Sequence, residues 1–449
     1  MKTRVAPMVP ILCLVSSLAT GQPTSPPSPR VITLGEAIEL ALKHNHVVRL
    51  ASLEVDEHEH TKEVAKSAYF PSVRNDTNVV RVSDTQLIEI PAGTFGAVGS
   101  NLIPAERLIV NQGGQTFASN GTGVVQPLTQ LLKIKAANDV ARAEVDASRG
   151  KARRVENEIA LKVHRLYYQI LVAEARRSAV AAKIQASEEL QSERVQQVKY
   201  GSALDAELIE SRAQSLQAKQ ELLTTELQLS DLHIEFNDAI GLPLGTAVTL
   251  DPAVTAVPES CAREECIKLA LESHPDVAEA RANVEKAESA VRLARYEYVP
   301  DVEAYVRYSF QNNVPFLADH FATVGINVSY ALFEGGRKRA MLGTRHAQLA
   351  QAKENLARVS EEVEVRVHTA YNKLERTRQM VAVSEELLAL RGESRRVAAE
   401  QLQRGAVLGS TAGASVAQEL EAKALFLQSR LDYVQATAEM DEAIGRTPQ

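Results

Sequence analysis

Apolar residues recur along this chain at helical spacing, over runs far longer than a globular core uses. Between Leu128 and Gly201, the residues Val155, Ile159, Val163, Leu166, Ile170 and Ala173, then Val180 and Ile184, fall at steps of three, four and seven. That spacing is the seam of a long amphipathic helix. No proline and one interior glycine, Gly150, interrupt the stretch. At 1.5 Å per residue the helix spans about 105 Å, which suits a rod or a tunnel wall. A second helix runs back from the turn at 200–205 to about Ile240, with Ile209, Leu216 and Leu223 seven apart and Leu222, Leu229 and Phe236 likewise. Further on, Leu342, Leu349, Leu356 and Val363 mark a helix from Lys338 to about Gln403. Val416, Leu420, Leu427, Leu431 and Val434 mark the last one. Shorter helices are predicted over Thr33–Lys66, where Thr33 caps and Glu36 completes a capping box, and over 263–297. Strands are predicted from Val73 to about Ser83, over Gln115–Val125, and near 301–311 and 322–331. In the last two, Tyr305, Tyr308, Phe310, Val324, Ile326, Val328 and Tyr330 alternate with polar or small residues.

The chain is a duplication. A shift of 204 carries Leu128 onto Leu332, Tyr167 onto Tyr371, Gly201 onto Gly405, Leu204 onto Leu408 and Ala239-Ile240-Gly241 onto Ala443-Ile444-Gly445. Upstream, a shift of 229 makes 13 of the 38 positions from Glu36 to Val73 identical to their counterparts. The two shifts differ by 229 − 204 = 25, so the first copy holds 25 extra residues between Val73 and Leu128. They fall in a Gly-, Asn-, Thr- and Pro-rich stretch, 74–114, expected as a long loop. The expected layout is a signal peptide at 1–21, a flexible lead at 22–32, a first repeat at 33–241, a linker at 242–262, a second repeat at 263–445 and a tail at 446–449. Lys2 and Arg4, the apolar run Val9–Leu18 and the small residues Ala19-Thr20-Gly21 carry the signal expectation. Cys13 is a poor lipidation site, since Pro10-Ile11-Leu12 precedes it.

Composition narrows the class. Aromatics are 4% of the chain and Trp is absent, which fits narrow helical seams better than a large core. A net charge of −7 argues against nucleic acid as a partner. After the N-terminus no apolar run approaches the length of a transmembrane helix. Four strands per chain leave two open sheet edges, which copies from other subunits would close. Their length, about 10 residues, is what a tilted membrane-spanning strand needs.

Candidate chemistry is sparse. No catalytic constellation or cofactor motif stands out, and the expectation is a protein that is not an enzyme. His58 and His60, beside Glu57 and Glu59, point apart on a helix, so no metal site is expected there. Cys261 and Cys266 are open to two readings. One is a small-loop disulfide in an oxidising compartment; the other is a packed Cys266, which takes the place of Ala37 in the first copy. The two helical turns, at 200–205 and 404–409, are the best candidate sites. Gly201 sits where a helix end wants a left-handed residue, and Ser202 or Asp205 is placed to cap the next helix.

The ordered motifs Ile32-Thr33-Leu34-Gly35-Glu36-Ala37-Ile38, Tyr69-Phe70-Pro71-Ser72-Val73, Tyr200-Gly201-Ser202-Ala203-Leu204-Asp205 and Leu332-Phe333-Glu334-Gly335-Gly336-Arg337, set in this duplication, resemble the TolC-family outer-membrane efflux channels. The resemblance implies a mainly α fold with a small β part. Long coiled-coil hairpins and four strands per chain would assemble as a homotrimer with a helical barrel and a 12-stranded transmembrane barrel. It implies a passive exit duct in outer-membrane lipid. Its partners would be a periplasmic adaptor and an inner-membrane pump of RND or ABC type. It makes Tyr200, Gly201, Ser202, Leu204, Asp205, Gly405, Leu408 and Gly409 the tip where the adaptor docks. Glu393 and Glu400, one heptad apart before the second turn, become candidate gate residues, although Arg395 and Arg396 intrude. The competing reading is a soluble periplasmic coiled-coil adaptor or structural rod, disfavoured because an adaptor carries one hairpin flanked by nested β domains.

Overall fold

The structure, a computed structural model, describes residues 30–83, 87–111, 115–252, 261–312 and 318–447. The expected signal segment, Cys13, residues 22–29 of the lead, 253–260 of the linker and 448–449 of the tail lie outside them. In chain order the elements are β1 Arg30–Ile32, α1 Leu34–His44, α2 His46–Ser67, β2 Ser72–Arg81, β3 Leu87–Ile90, β4 Ala97–Val98, β5 Asn101–Leu102, β6 Leu108–Asn111, β7 Thr116–Pro127, α3 Leu131–Lys199, α4 Asp205–Ala239, β8 Val248–Leu250, α5 Arg263–Ser273, α6 Pro275–Tyr296, β9 Asp301–Asn312, β10 His320–Ser329, α7 Arg337–Gln403 and α8 Gly409–Ala443. At 69 and 67 residues, α3 and α7 each run for about 100 Å.

Where one helix is expected over Thr33–Lys66, two form. Asn45 adopts an extended backbone and caps both ends of the break. Its N–H closes α1 on Ala41 O, its Oδ1 accepts the Val47 N–H at 2.9 Å, and its Nδ2 donates to Ala239 O at 3.0 Å. The second copy breaks at the corresponding residue, His274. There Nδ1 accepts the Asp276 N–H at 3.1 Å, and Pro275 takes the first helical position. Thr33 caps α1 as expected, accepting from Glu36 N at 3.3 Å.

The stretch expected as an open loop, 74–114, carries two nested antiparallel pairs, β3 with β6 and β4 with β5. The lead and the linker are not wholly irregular either. Arg30–Ile32 and Val248–Leu250 form a two-stranded parallel ribbon. Period-based reading misses strands of two to four residues because they span too little chain to show an alternation.

Two apolar cores lie at the level where the short helices meet the long ones. In the first copy Ile32, Leu250, Phe236 and Ile240 pack around Tyr167 of α3. The Tyr167 hydroxyl donates to Asp251 O at 2.7 Å and lies 3.2 Å from Ile32 O. Burial pushes its pKa up to about 12. In the second copy Cys266, Val363, Val367 and Met440 fill the equivalent position. Tyr371, the counterpart of Tyr167, lies instead beneath the Arg263 guanidinium, 4.6 Å from the ring centroid.

His164 is buried in α3, edge-on to Tyr168, and its Nδ1 has no partner. Burial lowers its pKa from 6.5 to about 4, against a weaker upward pull from Glu439. Between those values the unfolded chain binds more protons than the folded one, so stability rises with pH across that window. The His164→Gln variant is expected to lose about 3 kcal/mol of the stability difference that the wild type shows between pH 7 and pH 4. Chemical denaturation at the two pH values checks this. An unchanged difference would mean that His164 does not titrate on unfolding.

Candidate functional site

The long helices lie in one layer. Below the short helices the order is α4–α3–α8–α7, and above them it is α2–α3–α6–α7. The sheet follows the same sense, β2–β7–β9–β10, every pair antiparallel. All three layers therefore end in first-copy elements on one side and second-copy elements on the other. Both sides are unfinished. On α4, Ile209, Leu216 and Leu223 are exposed at heptad spacing, and on α7 so are Val383, Leu390 and Val397. The outer edges of β2 and β10 carry unpaired backbone groups.

The two faces of the sheet differ. Residues paired across strands share a face. One face carries Val73, Val124, Val306, Tyr308, Phe310, Val324, Ile326 and Val328, all exposed, interrupted by a hydrogen-bonded patch of Asn75, Thr77, Asn120 and Thr122. The other carries Arg74, Asp76, Glu303, Tyr305, Arg307 and Asn327. On this polar face two glycines make room for large neighbours. A Cβ at Gly121 would meet Arg307 Nε at 2.6 Å, and one at Gly325 would meet Tyr305 Oη at 2.7 Å. Such pairing of a glycine with a large side chain lets a sheet curve without leaving a gap. Among the described residues no helix is long and apolar enough to cross a membrane.

A groove of about 950 Å³ runs between α3, α4 and α8, lined in part by Arg176, Lys183, Gln214, Glu221, Gln418 and Gln428. It lies on the face of α3 opposite Tyr167. Glu221 accepts from Lys183 at 3.0 Å and from Arg176 at 3.4 Å, and the Lys183 bond is the main reason its carboxyl sits below the usual range.

At the tip the two turns share one geometry. Gly201 and Gly405 both have φ +69°, and the following N–H reaches back five residues, Ser202 to Gln197 O and Ala406 to Gln401 O, each at 2.8 Å. This is a Schellman closure, which a left-handed glycine permits. The expected capping by Ser202 or Asp205 does not occur. Ser202 Oγ donates to Gln197 O at 2.9 Å, closing the preceding helix, and the next helix starts at Leu204 without a side-chain cap. Asp205 instead lies in the first turn of α4, with Glu207. Tyr200, Leu204 and Leu408 are exposed.

The second hairpin has Gly409 where the first has Asp205, and the first turn of α8 holds no acid. Glu193 of α3 supplies one. Its Oε1 accepts the Ser410 N–H at 2.8 Å, while its Oε2 is buried without a partner. Nearby, Gly413 of α8 faces Glu189, whose Oε2 would lie 2.9 Å from a Cβ there. Glu193 went unnoticed in the sequence; its one signal was the missing acid at position 409.

Glu393 and Glu400 are exposed on α7, flanking the Leu390–Val397 seam of the open edge. Arg396, on the same helix, bonds both, and it holds the Glu393 carboxyl below its usual range. The sulfurs of Cys261 and Cys266 lie at bonding distance, with Cα atoms 5.7 Å apart, at the start of α5. His60 Nδ1 lies 3.2 Å from Glu63, one turn along α2.

A one-layer wall of long helical hairpins, topped by a sheet with one apolar face and one charged face, defines an outer-membrane duct. The chain belongs to the outer membrane efflux protein family, whose model matches residues 37–241 and 266–446. It resides in the cell outer membrane with its helical part in the periplasm. Among solved structures it is similar to the CmeC outer membrane channel of Campylobacter jejuni, at TM-score 0.75 and 13% identity, covering 97% of this chain and 94% of that one. It is also similar to the outer membrane protein VceC of Vibrio cholerae, at TM-score 0.71 and 15% identity, covering 93% and 97%. The Neisseria gonorrhoeae MtrE outer membrane channel, solved in its open state, matches at TM-score 0.68 and 14% identity, covering 93% and 89%. No curated protein matches the sequence.

The open seam on α4 gives a direct test. Leu216→Asp/Leu223→Asp places two carboxylates where apolar contact is expected, at a cost of several kcal/mol if both are buried unpaired. The variant is expected to keep its helix content by circular dichroism and to run as a monomer by size exclusion with light scattering. Retained assembly would show that this seam is not a subunit contact.

Proposed function

We propose that three copies close head to tail into a passive exit duct, with twelve strands in the membrane and a helical tunnel below. One observation carries the reading: the helical layer above, the helical layer below and the sheet are all unfinished in the same sense. A single heterologous contact, α7 against the neighbour's α4 and α2 and β10 against its β2, satisfies all three edges at once. Repeated around an axis, that contact gives a closed ring. The apolar sheet face then meets lipid, and the charged face lines the lumen.

The duct does no chemistry. A periplasmic adaptor docks at the exposed tips, 200–205 and 405–409, and an inner-membrane pump of RND or ABC type supplies the energy. Glu393 and Glu400 lie beside the subunit seam close to the tip, where a gate would act. Arg396 bonds both and Arg404 lies 4.0 Å from Glu400, so the cluster is near neutral and biases the entrance toward cations only weakly.

Single-channel conductance in a planar bilayer tests both parts, with Glu393→Ala/Glu400→Ala measured alongside. Discrete openings, slightly cation-preferring and altered in the double variant, are expected. Openings identical in the variant would remove these two residues from the gate and leave the duct standing. A chain that stays soluble and monomeric without detergent and never conducts would point to the periplasmic rod.

A further inference from the structure

Where β10 ends and α7 begins, the chain exposes Leu332 and Phe333 at 91% and 89%, the most exposed large apolar side chains among the described residues. They follow the apolar alternation Val324, Ile326, Val328, Tyr330 directly, so they extend the lipid-facing band toward the helical side. Immediately beneath them lies a cavity of about 200 Å³ between the last turns of α6 and the first turns of α7. Arg337, Lys338 and Arg345 line it with Leu293, Met341 and Glu297. Lys338, in its lining, sits with its ammonium 4.5 Å from the ring centroid of Tyr330, the last residue of that alternation.

We infer that this cleft binds the headgroup of an anionic phospholipid from the periplasmic leaflet, with Leu332 and Phe333 against its acyl chains. The occupant follows from continuity and charge. The inference rests on the barrel proposed above: on that reading the cleft adjoins the lipid-facing sheet surface and lies at the helical end of the strands, level with the inner leaflet's headgroups. Three cations face two acids there. Arg337 bonds Glu334 at 2.9 Å, and Arg345 meets only the amide of Gln348, at 2.9 Å. Glu297 is shared with Lys133 of α3, at 3.8 Å. Lys338 has an aromatic face as its neighbour rather than a carboxylate. The volume suits a phosphodiester and a few glycerol carbons, below the roughly 300 Å³ that drug-sized ligands need. Guanidinium groups grip a phosphate through paired N–H donors, and basic side chains at a membrane surface favour anionic lipid.

The first copy lacks the feature. The position of Phe333 is Thr129, that of Lys338 is Ile134 and that of Arg345 is Ala141. Lys133, in the place of Arg337, is turned inward on Asp301 at 2.6 Å. Each chain therefore carries one such cleft, on its second half.

The test uses the full chain in neutral detergent, titrated with phosphatidylglycerol or phosphatidylcholine in mixed micelles, with the midpoint of thermal unfolding as readout. Phosphatidylglycerol is expected to raise the midpoint, and phosphatidylcholine to leave it. In Arg337→Gln/Lys338→Gln/Arg345→Gln the phosphatidylglycerol response should need about a hundredfold more lipid. Should the triple variant lose its assembled size on a sizing column, Lys338→Gln alone is expected to shift the response about fivefold. Equal responses to the two lipids, or a variant that responds like the wild type, would overturn the inference. So would inorganic phosphate that stabilises as well as the lipid, since the acyl contact would then contribute nothing.

Discussion

The constraint from which everything else follows is that a single layer has no inside of its own. A helical wall one element thick, continued by one sheet, must leave a row of backbone groups and an apolar seam exposed at each end. In hydrocarbon an unpaired strand edge is not tolerable, because no water replaces the missing bonds. Among the described residues the chain does not solve this internally: β2 and β10 stay unpaired on their outer sides, and the seams on α4 and α7 stay bare. If the ring proposed above is what covers them, assembly is part of folding, and the stability of one chain cannot be separated from its concentration.

The duplication explains how so long a wall holds its shape. Hairpins of this length would slide along narrow alanine- and glutamine-rich seams. Each is pinned at mid-height by a small core, and the two cores use different means. The first relies on an aromatic cluster, with Tyr167 bonded to the ribbon at Asp251, and the second on aliphatic packing with a cation over Tyr371. The copies keep the same break, at Asn45 and at His274, with different capping chemistry. What was preserved is the bend, not the residue that makes it.

Much of this was legible in the sequence, for physical reasons that also mark where legibility stopped. Long helices repeat their seam many times, so α3, α4, α7 and α8 stood out, and Gly201 and Gly405 marked the turns. The strands alternate over about ten residues and emerged with small errors at their ends. The break at Asn45 stayed hidden because Val47 and Val48 continue the apolar pattern through it; its twin at His274 was missed too, since 263–297 reads as one helix although Pro275 marks the break. The hairpins inside 74–114 and the ribbon of β1 with β8 are too short to show a period. Glu193 was beyond reach, since it acts on Ser410, 217 residues away. The tip turns were found from their glycines, yet the reading of Ser202 as a cap for the next helix reversed its actual role.

Gly121 and Gly325 bear on the calibre of the bore. Arg307 and Tyr305 lie flat against the wall because each has a glycine beneath it. A single methyl group at either glycine would lift the large side chain toward the axis, and the ring would repeat that change once per subunit. In the proposed ring, the bore at that level is therefore adjustable by substitutions that leave every ladder bond in place. Descendants of one such chain could diverge in what they let through while the wall, the seams and the tips stay the same.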